Sequence, residues 1–166
     1  MKKLIKNDRG FTLIEILLVI ALLMIIAALV KANTVGLTRS IQLRTAANSI
    51  KNQLICAKTR ALGDSHVHCG VFFDTTSVPH RVLTFFDKGI SGLYEKETDD
   101  VYMPPYNLPP GITLSIRGDD ANNAIVFRGD GSTYIHGMQL SVTDSNDHEK
   151  IISVLPSTGR IKVINP

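Results

Sequence analysis

Glu15 is the residue whose chemistry most needs a partner. It is the only acid between Phe11 and Val30, twenty residues that carry no other charge. A helix needs about 20 predominantly apolar residues to cross a bilayer core. An acid inside such a segment costs about 3 kcal/mol even on the lenient insertion scale, so its default reading is functional, with a cation nearby. The chain ahead of it offers that cation if it is cut. In a low-dielectric core an ammonium and a carboxylate each lose hydration, and a close, well-aligned pair offsets the loss.

Other reactive residues do not converge on a site. His66 and His68 alternate with Cys69 on what reads as a strand, so they point to opposite faces, and with Cys56 they form no zinc set without distortion. Asp144, Asn146, Asp147 and Glu149 form an acidic loop. It lacks the glycine and the distant glutamate of a calcium loop and reads as a solvated turn, so no metal site is expected. There is no GxSxG, HExxH or P-loop and no nucleophile beside a base, so an enzyme is not expected, and no cofactor either.

The elements that position these residues are legible from periodicity. Beyond Lys31 the pattern turns amphipathic: Val35, Ile41, Ala46, Ile50, Leu54, Ala57, Ala61 and Leu62 recur mostly at three- and four-residue steps. No proline precedes Pro79. One helix from about Phe11 to Leu62 is therefore predicted, roughly 75 to 80 Å long, ending at Gly63 and Asp64. From there the period falls toward two. Strands are predicted at Val67 to Phe73, Arg81 to Phe86, Ile112 to Arg117, Ala124 to Arg128, Met138 to Thr143, Lys150 to Leu155 and Arg160 to Ile164. Gly118 to Asp120, Gly129 to Gly131, Asp144 to Asp147 and Pro156 to Gly159 are spaced as hairpin turns of a mainly antiparallel sheet. Pro104, Pro105, Pro109, Pro110 and Gly111 mark a stretch with no capacity for ladder pairing.

The segment RGFTLIE, behind a basic leader of Lys2, Lys3, Lys6 and Arg9, resembles the processing site of the type IV pilin and type II secretion pseudopilin superfamily. The resemblance implies cleavage between Gly10 and Phe11 by a prepilin peptidase, N-methylation of Phe11, and Glu15 facing the terminal amine of a neighbouring subunit in a filament. Four further places resemble the GspH/FimT branch: LICAKTRAL (Leu54 to Leu62), VHCGVFF (Val67 to Phe73), the turn Phe127 to Gly131, and GRIKV (Gly159 to Val163). An ordinary signal peptide ending near Ala32 fits less well, because an acid and an unbroken apolar run are foreign to it. A plain single-span anchor leaves Glu15 without a reason.

The expected fold is α+β and pilin-like, a long N-terminal helix packed on a mainly antiparallel β head. Its expected parts are a cleaved leader 1–10, a transmembrane half 11–30, an amphipathic half 31–63 and a periplasmic head 64–166. By the positive-inside rule the leader's cations stay cytoplasmic, in a protein of the bacterial inner membrane that then enters a filament. The whole chain has 18 Lys and Arg against 15 Asp and Glu, a net +3. The leader holds four of those cations and one acid, so the remainder is formally neutral and gives no general affinity for nucleic acid.

Two local features stay open. With a periplasmic head, Cys56 and Cys69 would meet oxidising conditions. They are either a disulfide pinning strand to helix, worth up to about 3 kcal/mol, or two free buried thiols. In the last strand Arg160 and Lys162 share one face and Ile161 and Val163 the other. The GRIK sequence resembles the terminal GRxR with which FimT-like subunits contact DNA, although Lys lacks the planar fork of Arg. An exposed basic edge that blunts strand-to-strand aggregation explains the pair without DNA. The expected role is a minor pseudopilin of a type II secretion pseudopilus, with a minor type IV pilus subunit as the alternative.

Overall fold

The computed structural model describes residues 11–64, 66–88, 92–118, 123–134 and 138–165, and no side chain over 29–37. The leader, with Gly10, lies outside the described residues, as do Asp119 and Asp120 of one expected turn. Helix α1 runs Leu13–Gly63. Nine strands follow among the described residues: β1 His68–Asp74, β2 Arg81–Asp87, β3 Asp100–Val101, β4 Tyr106–Asn107, β5 Ile112–Arg117, β6 Ala124–Phe127, β7 Gln139–Asp144, β8 Glu149–Leu155 and β9 Arg160–Ile164. The chain divides into two compact units, one up to Thr38 and one from Arg39 onward.

In the first unit the helix starts at an N-cap. Thr12 supplies the cap: its Oγ1 accepts the Glu15 amide at 3.3 Å, and its carbonyl accepts the amides of Glu15 and Ile16 at 3.1 and 3.3 Å. Beyond the cap the segment is apolar on every face. Leu13, Ile14, Leu17, Leu18, Leu22, Leu23 and Met24 are all more than half exposed. Among the described residues no helix is long and apolar enough to cross a membrane. The expected span 11–30 runs past the described side chains, which stop at Ala28.

In the second unit the helix buries Leu43, Ala46, Ala47, Ile50, Leu54, Ala57 and Ala61 in one core with residues of both sheets. These positions form a single stripe at three- and four-residue steps. Ile41 and Leu62, expected in that stripe, are 56% and 50% exposed. Ile41 lies two residues, roughly 200° of helical turn, away from Leu43, which puts it on the outer face. Small alanines on the inner face let the helix lie close to the sheets.

The strands make two antiparallel sheets rather than one. The first has the order β3-β2-β1-β6, with β4 also paired to β2; the second has the order β5-β7-β8-β9. The expected hairpin turns at Asp144 to Asp147 and Pro156 to Gly159 do join paired neighbours, β7 to β8 and β8 to β9. The turn at Gly129 to Gly131 also reverses the chain, since Phe127 and Thr133 form an antiparallel bridge and the Arg128 amide donates to the Ser132 carbonyl at 2.9 Å; the turn expected at Gly118 is corrected, because β5 and β6 lie in different sheets. The proline-rich stretch is also corrected, since Tyr106 and Asn107, between its two proline pairs, bridge to Val82 and Arg81. Buried residues occupy every position of β6 because the first sheet is covered on both sides. One face joins the main core, and the other packs Phe85, Ala124 and Val126 beneath Phe72, Tyr94 and Tyr134.

Candidate functional site

The helix start is the first place where chemistry is expected. Phe11 is 79% exposed and Glu15 sits in the first helical turn. An acid there is favoured by the unpaired amides and positive end of the helix dipole. The cap is the signal the sequence reading missed: Thr12 and Glu15 have the T-x-x-E spacing of a capping box. Glu15 therefore has one local structural reason to be an acid or an amide, besides any partner cation.

The basic pair of β9 stands as expected from alternation. Arg160 and Lys162 are exposed, while Ile161 and Val163 pack against the core. Strand pairing puts Arg117, Gln139, Ser153 and Lys162 in one row across the second sheet. The two cations of that row are about 14 Å apart. Three cations that could reinforce the pair are engaged elsewhere. Arg117 is ion-paired with Glu149 at 3.0 Å, Lys150 donates to Asn165 Oδ1 at 2.6 Å, and the Arg128 guanidinium lies 4.0 Å from the Tyr134 ring centroid. A polyanion would meet two exposed charges there, a hold that weakens as salt rises.

Both cysteines are free thiols. Cys56 is exposed and points its Sγ at Met103 Sδ, 3.7 Å away, while Cys69 is buried in the core. The two are not bonded in this structure, and Cys56 lies near enough to Cys69 to act on its thiol electrostatically. Burial, partly opposed by the nearby Arg60 charge, pushes the Cys69 thiol up to about 11. Among the described residues no group of His, Cys, Asp and Glu could hold a metal ion. His68 instead meets the Tyr134 hydroxyl through Nε2 at 3.1 Å. The acidic loop satisfies itself. Asp144 Oδ1 accepts the amides of Asn146 and His148 at 2.8 and 3.0 Å, and its Oδ2 meets His148 Nδ1 at 2.9 Å. Burial would raise the Asp144 carboxyl, but these contacts outweigh it and hold the group below the ordinary carboxylate range.

Three separated sequence segments meet at one locus of the head. Lys58 Nζ donates to the carbonyls of Thr158 and Gly159 at 2.8 and 3.2 Å. The Thr133 amide donates to the Pro156 carbonyl at 2.9 Å. Gly159 sits against the Gly131 carbonyl and the Phe127 ring so closely that no Cβ fits. Leu54 to Leu62, Phe127 to Gly131 and Gly159 to Val163 thus lock together. Sequence order alone carries no sign of that meeting.

The profile of the prokaryotic N-terminal methylation motif matches residues 5–30. No curated protein matches the sequence. Among solved structures, the minor pseudopilin EpsH from the type 2 secretion system of Vibrio cholerae is 16% identical, with a TM-score of 0.57 over 75% of this chain and 98% of that one. The type IV minor pilin FimU of Pseudomonas aeruginosa is 13% identical, with a TM-score of 0.57 over 77% and 92%. The likeness covers the helix packed on antiparallel sheets described above. The methylation motif thus stands at the helix start, and the fold behind it is like that of these minor pilins and pseudopilins.

Proposed function

We propose that the protein is a minor pseudopilin, a structural subunit of a type II secretion pseudopilus that helps initiate or cap the filament through which folded proteins are exported. The observation that carries a filament role is the segment from Phe11 to Ile26, apolar on every face, with one acid in its first turn. Such a surface needs lipid or neighbouring helices around it. A prepilin peptidase cuts after Gly10 and methylates Phe11. The leader 1–10 is then gone, residues 11–30 lie in the inner membrane, 31–63 form the amphipathic half of the helix, and the head 64–166 is periplasmic. On entry into the filament, Glu15 pairs with the terminal amine of a neighbouring subunit, so register is set by charge.

The second reading, a minor subunit of a type IV pilus, is favoured by the equal structural likeness to FimU and by the exposed Arg160 and Lys162. Adhesion or DNA capture would be its output, with the two cations as the DNA contact. The deciding experiment is the location of a normally secreted exoprotein in a strain lacking this chain. Periplasmic retention, relieved by the intact gene, is the expected result. Normal secretion with loss of pili would overturn the pseudopilus assignment in favour of the pilus one.

A further inference from the structure

Ile41, Ile55 and Leu62 are 56%, 42% and 50% exposed. With Asn48 between them they form one line along α1, because seven residues turn the helix through about 700°, two full circles to within about 20°. Arg44, Lys51 and Lys58 make a second line at the same spacing, about 60° round from the first. Arg60 lies about 200° from Lys58, on the opposite flank against Phe86. From residue 16 to residue 63 the sequence carries six Lys and Arg and no acid.

Where this flank meets the turn between β8 and β9 it opens into a groove of about 590 Å³, walled by Ile55, Lys58, Leu155, Thr158, Arg160 and Ile161. No carboxylate lines it. Leu155 is 51% exposed, so the groove has an apolar side chain on each wall. The carbonyls of Thr158 and Gly159 hold the Lys58 charge in place. Among the described residues Arg44, Lys51 and Arg160 take part in no ion pair. The flank is therefore basic and apolar together. Nucleic-acid phosphates would leave its isoleucines and leucines uncovered, and a second copy of the same flank would bring like charges together.

We propose that this flank docks a helix of a different subunit, one whose own face carries leucine-like anchors and Glu or Asp at seven-residue spacing. A line of that period is met along its length by a helix lying nearly parallel to it, whose anchors return at the same period. One anchor enters the groove between Ile55 and Leu155, and the partner's carboxylates face Arg44, Lys51 and Arg160. This rests on the reading of the chain as a filament subunit and extends it to the chemistry of the neighbour. Peptide binding tests the flank and exoprotein location tests the filament, so each can fail alone.

The test uses the full mature chain in detergent and a fluorescein-labelled helical peptide of about four heptads with Leu and Glu lines in that pattern, read by anisotropy. The same peptide with Lys in place of Glu should bind at least about tenfold more weakly. Arg44→Glu with Lys51→Glu should weaken the acidic peptide about tenfold or more, and so should Ile55→Asn, each with an unchanged circular dichroism spectrum. Arg60→Gln, on the opposite flank, should bind as the parent does. In a Cys56→Ser chain, Ile55→Cys should form a disulfide in glutathione buffer with a peptide that carries one cysteine among its leucines. The docking surface is overturned if the charge-reversed chain keeps the parent's affinity, or if Arg60→Gln loses as much as the reversed pair. It is overturned too if Ile55→Cys bonds its own kind in preference to the peptide, which makes the occupant a second copy, or if a short DNA duplex displaces the peptide, which makes it a polyanion.

Discussion

Gly159 sits in left-handed backbone at φ 55°, and a Cβ there would run into the Gly131 carbonyl and the Phe127 ring. Gly111 also has a positive φ, 80°, but open space around it. The comparison separates backbone strain from a steric clash. Gly111→Ala should cost about 1 kcal/mol, while Gly159→Ala should cost about 2 kcal/mol or more, because the Gly131 carbonyl belongs to a turn closed by the backbone bonds of Gly131 to Arg128 and Arg128 to Ser132. Thermal unfolding of both variants checks this, and equal losses would mean that the contact is relieved easily. The two thiols give a second test at the same scale. Cys69, buried and pushed up to about 11, holds almost no thiolate at neutral pH, whereas Cys56 is exposed. Iodoacetamide at about pH 8 should label Cys56 in the native chain and reach Cys69 only on unfolding. Native labelling of both would place Cys69 outside the core.

At the scale of elements, the tight connection between β1 and β2 is organised by one carboxylate. Asp74 Oδ1 accepts the amides of Thr76 and Ser77 at 3.1 Å each and the Thr76 hydroxyl at 2.8 Å, and Oδ2 is ion-paired with Arg81 at 2.9 Å. Desolvation would raise this carboxyl, but its donors outweigh the burial and hold it far below the ordinary range. Because the folded pKa is depressed, the stabilisation is present above the unfolded value of about 4 and is lost as pH falls below it. Stability should therefore be level from about pH 5 to neutral and drop below about pH 4, and Asp74→Asn should flatten part of that acid limb. An acid limb unchanged in the variant would show that the turn contributes nothing to it. The strand itself was legible in the sequence, because alternation in HCGVFF and RVLTFF follows from burying one face. So were the end of α1 at Gly63 and the pairing face of β9. The split into two sheets was not, since a turn signal such as Gly118 after β5 has the same local chemistry whether the next strand pairs back or crosses to another sheet. Tyr106 and Asn107 were missed for a related reason: a two-residue bridge between proline pairs has no periodicity to detect.

For the whole molecule, the question is whether Glu15 serves its own helix or a neighbouring subunit. Both accounts fit its place. As the third residue of the helix after Thr12, it occupies the acid position of a capping box and lies at the positive end of the helix dipole. As the lone acid of an apolar segment, it also calls for a cation, which a cut after Gly10 would create at Phe11 of the next subunit. The two roles separate on charge. A glutamine at that position still completes a capping box, since an amide can reach back as a carboxylate does, but it cannot neutralise an ammonium. Glu15→Gln should therefore preserve leader cleavage, membrane insertion and helix content, and yet lose entry into filaments about as severely as Glu15→Ala. Thr12→Ala should do the reverse, costing about 1 kcal/mol at the helix start and leaving incorporation largely intact. Fractionation of sheared filaments, with the peptidase-cut form followed by its mobility, reads all three variants. If Glu15→Gln enters filaments as the parent does while Glu15→Ala does not, the acid is a helix cap and register between subunits must come from another contact.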